Sequence, residues 1–259
     1  MCRRKGMEMK IETNKTALGW MGQVRMEVIE SGHAYLDHSW QYQNACAPFS
    51  RLYFVRKGEG ILDIGARHME KWYFHINIRM PDGFDLFQGC HTCYQKDVSE
   101  QEMRWMEEDY EQRSLDRVFA LQGELMRTMG DMIRLAGLAG KEVRSYSPLV
   151  RDVFAYVEKT MSSRLNVAEL AETLNISPST LAKRFKKETE MSIGAYLDQI
   201  LFNQACRLLL TTDLTVGQIS DRLGFCDQFY FSRYFKRHQQ GTPTGYRSRM
   251  KGLRQRPQT

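Results

Sequence analysis

The back half of this chain carries one helical pattern twice, and that repetition restricts its fold more than any other feature. The first copy runs from Asn166 through Leu174, Asn175, Ser177 and Pro178 to Leu181, Phe185 and Lys186. The second runs from Thr215 through Leu223, Gly224 and Asp227 to Phe231, Phe235 and Lys236. It starts 49 residues after the first and has one extra residue between Leu223 and Phe231. Asn166 with Glu169, and Thr215 with Gln218, have capping-box spacing, so a short helix is predicted to start at the same point in each copy. Val167, Leu170 and Leu174 match Val216, Ile219 and Leu223 as its apolar face. Asn175 and Gly224 then occupy the turn, and these residue types reach the left-handed conformation most easily. Ser177-Pro178 and Asp227 open a second helix. Leu181 with Phe185, and Phe231 with Phe235, anchor it at i, i+4 spacing. Each copy therefore reads as a helix-turn-helix, over 166–187 and 215–238.

A helical wheel identifies the outward faces. At about 100° per residue, Ser179, Lys183 and Lys186 lie opposite Leu181. Phe229, Arg233 and Lys236 lie opposite Phe231, and Ala182, Gln228 and Ser232 flank the two faces. Residues 193–210 join the copies as a helix capped by Ser192, with a broad apolar face that includes Ile193, Leu197, Leu201, Ala205 and Leu209. Such a helix fixes the distance between the copies. That matters because B-DNA presents its major groove to one side about every 34 Å. Charge points the same way. Residues 1–147 carry a net −1 and residues 148–259 a net +7, which together make the chain's +6. A basic back half is suited to a polyanion, with nucleic acid the first candidate.

The front half has a different texture. Residues 1–18 are polar and expected to fray. Residues 20–97 are rich in aromatics and Gly. Arg51–Val55 and Ile61–Ile64 read as a hairpin turning at Lys57–Gly60. Trp72–Ile78 reads as a strand, with Trp72, Phe74, Ile76 and Ile78 on one face and Tyr73, His75 and Asn77 on the other. From Val98 to Leu138 there is no Pro, and Leu115, Val118, Leu125, Met129, Met132 and Ile133 recur at helical spacing. That stripe can pack on its own domain or pair with its copy in a second subunit. Gly137, Gly140 and Ser145 mark a linker, after which Ser147-Pro148 starts a helix with Val150, Val153, Phe154 and Val157 on one face. The expected architecture is α+β: a β domain over 1–97, helices and linker over 98–145, and an all-helical domain over 146–259.

Composition excludes other classes. Apolar residues are 42% and charged residues 26% of 259, values of a folded globular chain. No apolar run approaches the roughly 20 residues of a membrane span, and no apolar signal core follows the basic start. Six cysteines are too sparse for a disulfide scaffold, so a cytoplasmic location is expected. Cys90 and Cys93 form a lone Cys-x-x-Cys without a second pair to complete a zinc site. His33, His38 and His75 share no ligand motif. No phosphate-binding Gly loop or catalytic constellation is recognisable. No cofactor, metal or enzymatic activity is expected.

Over roughly residues 148–250 the chain resembles the AraC/XylS family of bacterial transcription regulators. The resemblance rests on Leu170-Ala171-Glu172, Ser177–Leu181, Arg184-Phe185-Lys186 and Leu208–Thr211. It is carried most strongly by Gly224-Phe225, Tyr230–Lys236, Gly241-Thr242-Pro243 and Tyr246-Arg247. It implies that both recognition helices enter the major groove of duplex DNA. The positions that would then face base edges are Ser179, Ala182 and Lys183 in the first copy, and Gln228, Phe229, Ser232 and Arg233 in the second. Lys186, Lys187, Lys236 and Arg237 are assigned to phosphates. Where the family commonly has a basic residue, this chain has Leu201.

The front half resembles the family's cupin-like β-barrel with dimerising helices, which implies a homodimer, a small-molecule effector and contact with RNA polymerase. Only 13 residues separate Gly60 from Phe74, where the family has further strands. The barrel is therefore expected to be incomplete, with an unpaired edge near Ile61–Ile64 or Trp72–Ile78. Trp72 and Phe74 are expected to be partly exposed or covered by the helices after Val98. Two other readings remain open at this stage: a constitutive DNA-binding regulator without ligand, and a cupin-type metal enzyme joined to a DNA-targeting domain.

Overall fold

The computed structural model describes residues 24–37, 49–61, 65–88, 93–112, 114–140, 142–239 and 241–252. The polar start 1–18, His38, the Cys90 half of the Cys-x-x-Cys and residues 62–64 lie outside them.

Three antiparallel strands form the described sheet: β1 (Arg25–Asp37), β2 (Ser50–Ile61) and β3 (Gly65–Arg79), in the order β1-β3-β2. Alternation in β3 holds as expected. Trp72, Phe74, Ile76 and Ile78 are buried, and Tyr73, His75 and Asn77 point to the opposite face, half-buried. Two expectations are corrected. β2 runs through Lys57–Gly60 instead of turning there. It absorbs Gly58 at φ 99° with register shifts on either side, so the reversal falls between Ile61 and Gly65. β3 is the central strand, paired on both sides, so Trp72–Ile78 is no edge. β1 was not foreseen, because a register shift between Val28 and Glu30 breaks its alternation. Within it, Gly32 lies so close to Tyr73 that a Cβ there would stand 2.4 Å from the phenol oxygen.

Two helices cover the Trp72 face. Helix α1 (Glu100–Glu111) opens with a full capping box between Ser99 and Glu102. Those Ser99 bonds, aided by Arg127, hold the Glu102 carboxyl down to about 2. Helix α2 (Leu115–Leu135) follows. Met103, Met106, Leu125 and Met129 pack on Leu52, Phe54, Trp72, Phe74, Ile76 and Ile78. Trp72 and Phe74 are thus covered by the helices. The α2 stripe divides: Leu125 and Met129 are buried, whereas Leu115 and Val118 are exposed.

Helices α3 (Pro148–Thr160), α4 (Val167–Thr173), α5 (Pro178–Thr189), α6 (Ile193–Thr211), α7 (Val216–Arg222), α8 (Gln228–His238) and α9 (Pro243–Gly252) make the back half. Its apolar residues form two cores. One gathers α3, α4, α5 and the start of α6 around Leu170, Leu181, Phe185 and Tyr196. The other gathers the rest of α6 with α7, α8 and α9 around Leu209, Ile219, Phe231, Phe235 and Tyr246. The sheet's second face meets this half. Phe49 belongs to the second core and stacks on His75 at 4.8 Å. Glu27 pairs with Arg207, and Arg79 with Glu158 at 3.0 Å.

Candidate nucleic-acid interface

Local chemistry sets the start and the turn of each motif. The Asn166 side chain accepts from the Ala168 and Glu169 N–H groups, and Thr215 and Gln218 complete a reciprocal capping box. Both short helices end in the predicted left-handed residue, Asn175 at φ 53° and Gly224 at φ 77°. A side chain at Gly224 would also press on Ser162 at 3.2 Å. The second helices then start on Ser177, which accepts from Thr180 N–H at 3.2 Å, and on Asp227, which accepts from Tyr230 N–H at 2.7 Å. That bond holds the Asp227 carboxyl below the usual carboxylate range. An anion at this end suits the helix dipole.

Leu181, Phe185, Phe231 and Phe235 are fully buried, so they fix the rotation of α5 and α8. The opposite faces stand open. Ser179, Ala182, Lys183, Lys186 and Lys187 are all exposed on α5. On α8, Gln228, Phe229, Arg233, Lys236 and Arg237 are exposed and Ser232 is half-buried. Phe229 is 70% exposed, an unusual position for a phenylalanine. Of the residues assigned to DNA from the sequence, all are exposed except Ser232.

Tyr230 was not foreseen. It is 44% exposed, and the Arg233 guanidinium lies 5.7 Å from its ring centroid. This contact puts the arginine's charge beside the ring. The signal was available, because Tyr230 lies one turn before Arg233 on a wheel.

The two motifs are tied together as well as joined. Ser163 N–H donates to Leu223 O at 2.7 Å, and Arg164 Nε donates to Gly224 O at 3.2 Å. The segment before the first motif thus grips the turn of the second. Helix α6 contributes Ile193, Tyr196 and Leu197 to one core and Leu201, Ala205 and Leu209 to the other. Leu201 is buried, which accounts for an apolar residue there.

Of the histidines weighed as ligands, His33 and His75 have other partners. His33 contacts Glu70 at 3.3 Å and stacks on Trp72, and His75 contacts Glu30 at 3.0 Å. Cys93, Cys206 and Cys226 are outside any disulfide. Among the described residues no helix is long and apolar enough to cross a membrane.

Residues 170–249 match the family of helix-turn-helix domains. The chain is 32% identical over 127 residues to the Msm operon regulatory protein of Streptococcus mutans, covering 48% of this chain and 46% of that protein. It is 25% identical over 233 residues to the xylose operon regulatory protein of Escherichia coli, covering 85% of this chain and 59% of that protein. It is 29% identical over 106 residues to the regulatory protein SoxS of Escherichia coli, covering 41% of this chain and 99% of that protein. The matches span about half the length of the first two relatives. The two aligned helix-turn-helix motifs, the family match over residues 170–249 and these relatives support an AraC/XylS family regulator.

Proposed function

We propose that this chain binds duplex DNA in a sequence-specific manner and regulates transcription, with α5 and α8 in successive major grooves. The observation that carries the reading is the paired open faces of α5 and α8, both basic, on helices whose rotation is set by buried Leu and Phe anchors. Lys183 and Arg233 are assigned to guanine, because long basic chains reach its O6 and N7 acceptors. Phe229 is assigned to a thymine methyl, and Ser179, Ala182, Gln228 and Ser232 to neighbouring base edges. Lys186, Lys187, Lys236 and Arg237 neutralise phosphates and supply affinity without reading sequence.

The front half acts as the control region in this reading, an open and reduced counterpart of the family's cupin-like barrel. The 233-residue likeness to a xylose operon regulatory protein takes in much of the front half, which is why the front half is read as part of the regulator. Control passes through a small effector, through dimerisation, or both, in the cytoplasm, with RNA polymerase as a further partner. Leu115, Phe119 and Met126 form an exposed stripe on α2, separate from the buried Leu125 side, and a second copy of α2 is the proposed partner. The test is affinity for a selected duplex as a function of salt. A steep fall, with a slope of several counterions, is expected. A flat dependence would contradict DNA binding through these faces.

A further inference from the structure

Where the front half meets the first motif, a cavity of about 190 Å³ opens between the turn after β3, the start of α3, the end of α5 and α6. Its volume is below the usual range of drug-sized ligand sites, so an occupant must be small. Four aromatic side chains line it. Phe84 meets Tyr196 edge-on at 5.6 Å, Phe154 lies 5.4 Å from Tyr196, and Tyr146 meets Phe154 edge-on at 5.0 Å. The charged groups in the lining are Asp82 and Arg144. Arg144 is engaged with Glu190 at 3.0 Å. Asp82 makes no ion pair among the described residues. Its carboxylate accepts the Phe84 N–H at 3.1 Å and the Tyr146 hydroxyl at 3.4 Å.

The surroundings add negative charge. Glu188 accepts the Ser147 N–H and hydroxyl, both at 2.8 Å, and has no ion pair among the described residues. Asp82 and Glu190 are both within electrostatic reach of Arg144, two carboxylates to one guanidinium. Burial, and next the charge of Asp82, push the Tyr146 phenol up to about 12, as expected for a negative field in an apolar setting. Asp82 shares Arg144 with Glu190, so the carboxylates beside these rings outnumber the guanidinium, and such a setting attracts an organic cation and repels an anion.

We infer that this cavity is a binding site for a small organic cation, an alkylammonium with a compact apolar body, held by Asp82 and the faces of Tyr146, Phe154 and Tyr196. The inference rests on the reading of the chain as an effector-controlled DNA binder and names where the effector sits. Thr189 closes the first recognition helix and Met191 follows it, and both line the cavity. The turn of Asp82 and Phe84 comes from the front half, where the Asp82 carbonyl accepts the Tyr196 hydroxyl at 3.0 Å. One bound cation would therefore touch both halves at the base of a DNA-reading helix.

The test is titration calorimetry of the full chain with choline and with its neutral analogue 3,3-dimethylbutan-1-ol. Duplex binding is measured in parallel. Choline is expected to bind saturably, and the alcohol about tenfold more weakly or less, the size of a desolvated cation–aromatic contact. Asp82→Asn keeps an oxygen for the Phe84 N–H. It is expected to lose choline affinity by about tenfold while duplex binding persists. Equal binding of choline and the alcohol, no saturable choline binding, or unchanged choline affinity in Asp82→Asn would overturn the site. Failure of the wild-type chain to bind any duplex would instead overturn the regulator reading, independently of the choline result.

Discussion

The roles proposed for two side chains on these helices differ: Arg233, which lies beside Tyr230, is assigned to one base, and Lys187 to a phosphate. Arg233→Ala should cost about 1–3 kcal/mol on the best site and relax preference at a single position. Lys187→Ala should weaken all sequences alike. Competition binding on a panel of single-base variants separates the two, and an unchanged preference in Arg233→Ala would place the reading face elsewhere. In the front half, Lys71 is 4% exposed with its ammonium 3.5 Å above the Tyr53 ring. Burial, then the charge of Arg51, lowers its pKa to about 7. Between pH 7 and the ordinary lysine range the unfolded chain binds a proton that the folded chain does not. Stability contributed at this site therefore rises with pH. From pH 7 to pH 9 the gain should be on the order of 1–2 kcal/mol. Lys71→Met should flatten it, and urea denaturation at the two pH values measures the difference. A wild-type stability that falls over this window would contradict the assignment.

At the scale of elements, the back half was legible residue by residue. Caps, left-handed turn residues and i, i+4 anchors are local signals, and Asn166, Asn175, Ser177, Thr215, Gly224 and Asp227 all do what their chemistry suggests. The front half was legible in β3, in the Arg51–Val55 stretch of β2 and in the two helices. β1 is hidden by its bulge, and the Gly58–Gly60 pair imitates a turn while lying inside a strand. The α2 pattern concealed two faces in one stripe. Leu125 and Met129 serve the sheet, and Leu115, Phe119 and Met126 are left outside, with Phe119 at 69% exposure. A single period cannot say which of two adjacent faces is filled within the chain. If the outer face pairs with a second copy, Phe119→Asp with Met126→Asp should shift the chain to monomer in sedimentation. Its thermal stability should change little, because neither side chain is buried. An unchanged mass would remove α2 from the dimer.

Across the whole molecule, the two halves meet through contacts that no local pattern announces. Phe49 enters the core of the second motif, and Tyr196 on α6 reaches the Asp82 carbonyl 114 residues away. Such pairs bring together residues whose own neighbourhoods read as ordinary strand, turn and helix. They put the front half against both motifs, where changes in it can bear on DNA binding. The central claim is that one chain reads two successive major grooves. It is tested most directly by a methylation-protection footprint of the full chain on a selected duplex. The account predicts two protected major-groove patches on one face of the DNA, about 10 base pairs apart, for each bound chain. A single patch per chain, or two patches on opposite faces of the duplex, would contradict it.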